Sequence, residues 1–354
     1  MYKKNFSESI SMSSIFSRET IHLSKPSLRG ILYFFLTIPL VLLAAEIVAR
    51  SPLGTTLPAP SVNADSFLFD AKVYALEQQV RRDGRLDCLF IGSSVDNVGI
   101  DPQTIERVYY ERTGETIHCF NIGYPAMTVE NAAAFADAII SKFSPRLIIY
   151  TFIPRDLTDV TYTVDFLEKS PWFQSNDTRL STTGWLVNHS YAYRYYLTWR
   201  YLLVNKNRTK RLEEIQNLTV KGFQPVGGIR DPYPEEITMT PEYISQVWDT
   251  PHPQQAIDKL ITLQSKSVRI ILVEAAIYRD PMYASLWDAY ERDYIPTIEY
   301  LAQEQNVLFW RTDEISAQIP QPHWYDWLHL NSRGAATFNQ WLGEQLADNE
   351  WLIK

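Results

Sequence analysis

Three residues in this chain have the types and spacing to move an acyl group. Asp326 and His329 stand three apart in Tyr325-Asp326-Trp327-Leu328-His329-Leu330-Asn331-Ser332-Arg333-Gly334, just ahead of a helix start. A histidine oriented by a carboxylate can act as a general base and then return its proton to a leaving group. That chemistry needs a nucleophile, for which a serine on a strand-to-helix turn is well suited. Gly92-Ser93-Ser94 closes the apolar run Leu86–Ile91 and places Ser94 there. The glycine allows a tight turn. A helix beginning at or after Ser94 would aim backbone N–H groups at developing negative charge. The residues alone leave plainer readings open: a Gly/Ser turn, a capping aspartate and a surface histidine. His323, in Pro320-Gln321-Pro322-His323, is a rival base without an orienting acid nearby.

These residues need elements to bring them together. Apolar strands are expected over 86–91, 116–122, 147–152, 267–273 and 306–310. Helices are expected over 67–79, 102–112, 128–143, 283–304 and 333–346. The alternation predicts an α/β fold, a three-layer α/β/α sandwich on a mainly parallel sheet. Working residues in such sheets lie beyond the carboxyl ends of strands. Ser94, Asn121 and Arg155 all fall there. Asn331 or Ser332 can cap the last helix and lock the Asp326–His329 turn.

The stretch 160–253 is polar, aromatic and irregular, with one expected helix over 191–204. It is too long for an ordinary connection and reads as a lid or inserted subdomain. It holds four Asn-x-Ser/Thr sequons, at Asn176, Asn188, Asn207 and Asn217, which read as chance occurrences.

At the amino end, Gly30–Ala49 is a long apolar run behind Lys3, Lys4, Arg18, Lys25 and Arg29. It predicts a transmembrane anchor over 30–49 after an amino-terminal segment 1–29. By the positive-inside rule that segment is cytoplasmic and the main part periplasmic or extracellular. A cleaved leader is the weaker alternative. Residues 50–66 read as a tether and 67–354 as the folded domain.

A net charge of −8 argues against a general nucleic-acid surface. The 21 Tyr and 10 Trp suit either a carbohydrate groove or ordinary packing. Cys88 and Cys119 fall in expected interior strands and read as free buried thiols. No cofactor is expected, and the spacing offers no metal cluster. A nucleotide site is disfavoured because Gly92-Ser93-Ser94-Val95-Asp96 lacks a phosphate-cradling glycine series.

With those residues in place, the chain resembles the SGNH or GDSL-type hydrolases, a flavodoxin-like class of esterases, lipases and acetylesterases. Gly92-Ser93-Ser94 is similar to their Gly-Asp-Ser block, with Ser93 in place of Asp. Asp326-Trp327-Leu328-His329 is similar to their final Asp-x-x-His block. The likeness spans residues 86–346 apart from much of the middle. It implies catalytic Ser94, His329 and Asp326, with Ser94, Asn121, Ala126 and Arg155 as oxyanion or substrate contacts. Two positions depart from the pattern. Ala126 stands where a glycine is usual, and Arg155 stands where an asparagine amide is usual.

The expected anchor and the Gly-Ser-Ser block together resemble bacterial membrane-anchored proteins of cell-wall or exopolysaccharide O-acylation. That resemblance implies a serine esterase or O-acyltransferase acting on acylated carbohydrate or a small ester, beside a multi-pass O-acyltransferase. Its alternative is a catalytically silent protein that binds glycans or supports a membrane complex.

Overall fold

A computed structural model of the protein describes residues 28–54, 67–158, 182–204, 208–230 and 239–349. The chain divides into two units, Met1–Ala45 and Glu46–Lys354.

Five strands, β1 (Cys88–Gly92), β2 (Cys119–Asn121), β3 (Leu147–Phe152), β4 (Arg269–Glu274) and β5 (Leu308–Trp310), form one sheet in the order β2-β1-β3-β4-β5. Every pairing is parallel. The helices of the described chain are α1 (Leu28–Arg50), α2 (Phe67–Asp83), α3 (Ser94–Gly99), α4 (Pro102–Thr113) and α5 (Val129–Phe143). They continue as α6 (Thr182–His189), α7 (Tyr191–Val204), α8 (Arg208–Gln216), α9 (Pro241–Gln246) and α10 (His252–Ile261). The last are α11 (Ala284–Ala289), α12 (Ile295–Glu304), α13 (Asp313–Gln318) and α14 (Ser332–Asp348).

A sheet buried on both faces needs apolar residues pointing both ways along each strand. Leu89 and Ile91 of β1 enter one core with Phe69 and Leu76 of α2 and Phe135 and Ile139 of α5. Cys88 and Phe90 enter the other, with Ile105 and Tyr109 of α4 and Phe338 and Leu342 of α14. The result is a three-layer α/β/α sandwich. Cys88 and Cys119 are register partners on β1 and β2, both buried and free.

The helix expected over 283–304 is interrupted by a π turn at Tyr290–Tyr294. Pro296 lacks the N–H that would bond Arg292, and the wider turn absorbs that missing bond. The final helix is capped by Asn331, whose side-chain oxygen accepts from Arg333 N and Gly334 N.

The membrane span expected over 30–49 is corrected by the structure. Among the described residues no helix is long and apolar enough to cross a membrane. Arg29 and Glu46 bracket an uncharged run of roughly 16 residues, about 24 Å of helix against a bilayer core of about 30 Å. The last turn of α1 is instead fastened by its charges. The Glu46 carboxylate accepts from Ser190 Oγ at 2.8 Å and from the amides of Tyr191 and Ala192 at 3.0 Å each. Burial pushes that carboxyl up, but these bonds and Arg50 outweigh it and hold the group below its ordinary range. Arg50 donates to the His189 carbonyl at 2.8 Å. The single-pass topology, the extracytoplasmic placement and the membrane partnership built on that span fall with it.

Arg194 of α7 forms a buried ion pair with Glu77 of α2, and Lys142 of α5 reaches the same carboxylate at 2.7 Å. Burial raises the Glu77 carboxyl, but the Arg194 bond and charge, with Lys142, hold it below its ordinary value. The lowered pair contributes stability above pH about 4.5 that is lost as pH falls through the folded value. Arg194→Met strands much of that charge. It is expected to lose about 3 kcal/mol at pH 7 and less at pH 4, read by urea unfolding.

Candidate active site

Ser94 opens α3 immediately beyond the carboxyl end of β1. Asp326 and His329 lie in the tight turn before α14. That turn is held by its own backbone and by Asn331. Tyr325 N donates to His329 O at 2.7 Å, and Trp324 pairs with Leu330 in an isolated antiparallel bridge. Asn331 Nδ2 donates to the carbonyls of Gly228 at 3.0 Å and Pro322 at 2.9 Å. Gly334 lets the first turn of α14 pass under this loop, since a Cβ there would fall 2.2 Å from the His323 carbonyl oxygen.

Folding brings the three residues into line across a separation of 235 positions. His329 Nε2 lies 2.8 Å from Ser94 Oγ. His329 Nδ1 lies 2.8 Å from Asp326 Oδ1 and 3.0 Å from Oδ2. Asp326 Oδ1 also accepts the amides of Leu328 and His329, each at 2.9 Å. Burial raises the Asp326 carboxyl, but the His329 bond and charge and the two amides outweigh it, so the group stays ionised below its ordinary range. An ionised Asp326 accepts the Nδ1 proton, which leaves Nε2 bare to accept from the Ser94 hydroxyl. A hydroxyl, an imidazole and a carboxylate in this order constitute the geometry of serine-hydrolase catalysis.

Asp326→Asn should keep this shape and offer an amide N–H to the ring, favouring the wrong tautomer. A fall in kcat of about 10⁴ is expected with KM little changed, measured by steady-state ester hydrolysis.

The other sequence-derived candidates have different surroundings. Asn121 is fully buried and its amide is engaged within the fold. Its Nδ2 donates to Asp96 O and Ile100 O at 2.7 Å each, and its Oδ1 accepts from Gly123 N at 2.8 Å. Ala126 has a left-handed backbone, φ 62°, the conformation a glycine ordinarily supplies. The Arg155 side chain is 42% exposed and pairs with Asp156 at 3.3 Å. Among the described residues His323 meets no acid, and its buried Nδ1 has no hydrogen-bond partner.

Four further groups crowd the turn. Ser93, the neighbour of the candidate nucleophile, faces away from His329 and donates to Asp156 Oδ2 at 2.7 Å. Asp156 also accepts from Ile153 N at 3.2 Å. Burial pushes it up to about 6, against the Arg155 charge and the Ser93 and Ile153 bonds. Lys72 and Asp96, both fully buried, lie on the other side of the same turn. Lys72 had one visible signal, a lone cation between Leu68 and Leu76 on the buried face of α2. Among the described residues no group of three His, Cys, Asp or Glu is disposed to hold a metal ion.

No protein-family model matches the chain, and no curated protein does. Solved structures with a partial likeness include an α/β hydrolase from the metagenome of Lake Arreo, Spain. It is 13% identical over 76% of this chain and 97% of its own, with a TM-score of 0.37. A catalytic mutant of an acetylxylan esterase from Geobacillus stearothermophilus is 12% identical over 76% and 94%, with a TM-score of 0.38. A psychrotrophic esterase from Pseudoalteromonas sp. is 11% identical over 76% and 99%, with a TM-score of 0.33. All three scores lie below 0.5, and neither family nor activity follows from them.

Proposed function

We propose that the chain is a serine ester hydrolase of the SGNH type that works through an acyl-serine. The observation that carries this reading is the continuous line from Ser94 Oγ through His329 to Asp326. The strand order 2-1-3-4-5, with the serine after β1 and the acid and base before the last helix, supports it. His329 Nε2 takes the Ser94 proton as Oγ attacks the acyl carbon of a small ester. Asp326 stabilises the imidazolium that forms. His329 then protonates the departing alkoxide, and a water activated by the same nitrogen cleaves the acyl-serine.

The developing oxyanion needs donors already in place. Ser94 N–H, at the amino end of α3, and the backbone of Ala126, in its left-handed conformation, are the proposed ones. Arg155 is the proposed contact for a polar group of the substrate, with Asp156 holding one edge of its guanidinium. Asn121 serves at one remove, by holding Gly123 N and the Asp96 and Ile100 carbonyls of the α3 segment.

Pre-steady-state hydrolysis of p-nitrophenyl acetate tests the scheme. A burst of about one p-nitrophenol per protein is expected, followed by slower turnover, with the acetyl group recoverable on the peptide that holds Ser94. Release with neither a burst nor a trappable acetyl-serine would count against it.

A further inference from the structure

Beneath the Ser94 turn lies a layer of buried titratable groups that the triad does not use. Lys72 projects from α2 on the side that sends Phe69, Val73 and Leu76 into the core. It is fully buried, and its Nζ donates to the Gly123 carbonyl at 2.5 Å. The same segment is tied to the nucleophile turn, because Tyr124 N donates to Gly92 O at 2.9 Å. Asp96, two residues after Ser94, is also fully buried, and among the described residues neither of its carboxyl oxygens meets a hydrogen-bond partner. Its side chain rests on two bare α-carbons. A Cβ at Gly92 would fall 2.7 Å from Asp96 Cγ, and one at Gly123 would fall 2.5 Å from Asp96 Cβ. Lys72, Asp96 and Gly123 therefore meet at one point, between β1, the β2 exit and α2.

The two titratable groups sense each other. Burial lowers Lys72 to about 7, and the facing Asp96 pulls it back up. Burial pushes Asp96 far up, opposed by the nearby Thr151 hydroxyl and by Lys72, while Asp156 adds to the rise. A buried ammonium is costly, and a methionine would fill a similar volume without that penalty. Packing alone therefore gives no reason for a lysine here.

Resting on the serine-hydrolase reading, we propose that Lys72 is a positioning residue for the Ser94 reaction. By binding the Gly123 carbonyl and facing Asp96, it fixes the Gly123–Ala126 loop against the amino end of α3, where the oxyanion is held. Preorganised donors act on the bond-making step rather than on substrate binding, so loss of Lys72 falls on kcat.

Lys72→Met and Lys72→Gln in the full chain test this, each compared with the parent protein. Turnover is counted per active site, with amide exchange followed by mass spectrometry and the fold checked by circular dichroism. The Met variant is expected to lose about tenfold or more in kcat with KM within about threefold. Its peptide over 120–130 should exchange about tenfold faster while peptides of α14 do not change. The Gln variant keeps a donor for the Gly123 carbonyl and should recover most of both. Unchanged kcat per site or unchanged loop exchange in Lys72→Met overturns the assignment, as does a Gln variant no better than Met. Faster loop exchange in Lys72→Met, with no Ser94-dependent turnover in the parent, upholds the fixing of the Gly123–Ala126 loop by Lys72 and contradicts the hydrolase reading on which its effect on kcat rests.

Discussion

Ser94→Ala is expected to lower kcat for an aryl acetate by about 10⁶, while circular dichroism and thermal unfolding stay close to the parent. The size follows from the chemistry. Without Oγ no acyl-serine forms, and the remaining oxyanion donors act only on direct attack by water. The small structural effect follows from the bonding. Ser94 Oγ bonds His329 at 2.8 Å, whereas the turn is held by backbone and by Ser93. Ser93→Ala gives the contrasting result. It removes a buried bond to Asp156 and is expected to lower stability by about 1 kcal/mol. Its effect on kcat should be far smaller than that of Ser94→Ala. A protein in which Ser93→Ala abolishes turnover and Ser94→Ala does not would place the nucleophile one residue earlier.

His329→Ala is the second large effect, again about 10⁶ in kcat. Ser94 then loses its proton acceptor, and the leaving alkoxide loses its proton donor. Combining it with Ser94→Ala should add almost nothing, because the two residues act as one unit. Independent, multiplicative losses in the double variant would show that they serve separate steps. His323→Ala should leave turnover close to the parent value, since that imidazole meets neither Ser94 nor an acid.

Much of this site was legible in the sequence because it rests on local patterns. Gly92-Ser93-Ser94 follows an apolar strand, so its place at a strand end came from period and composition. Asp326 and His329 lie within one turn, so their proximity needed only a backbone reversal, and Asn331 announced the helix that locks it. The contact between the two halves was implied by the resemblance to the SGNH or GDSL-type blocks, not by either half alone. The layer below the serine was not legible. Lys72 and Asp96 come from α2 and α3, and they converge through packing that no spacing encodes.

The amino end misled for a related reason. Hydropathy alone made Gly30–Ala49 look like a span. Glu46 cuts the uncharged run short, and among the described residues no helix is long and apolar enough to cross a membrane; Glu46 and Arg50 instead bond Ser190, Tyr191 and His189, about 140 residues away in sequence. Asn121 shows the same limit at smaller scale. Its position at a strand end suited a substrate contact, yet its amide is engaged by Asp96, Ile100 and Gly123.

The central claim is that Ser94 is the activated nucleophile, and covalent labelling tests it most directly. The full chain is treated with a serine-directed fluorophosphonate, digested, and sequenced by tandem mass spectrometry. One phosphonyl group per protein on Ser94 is predicted, absent from Ser94→Ala and strongly reduced in His329→Ala. Label retained in Ser94→Ala, or found on Ser93 in the parent protein, would contradict it.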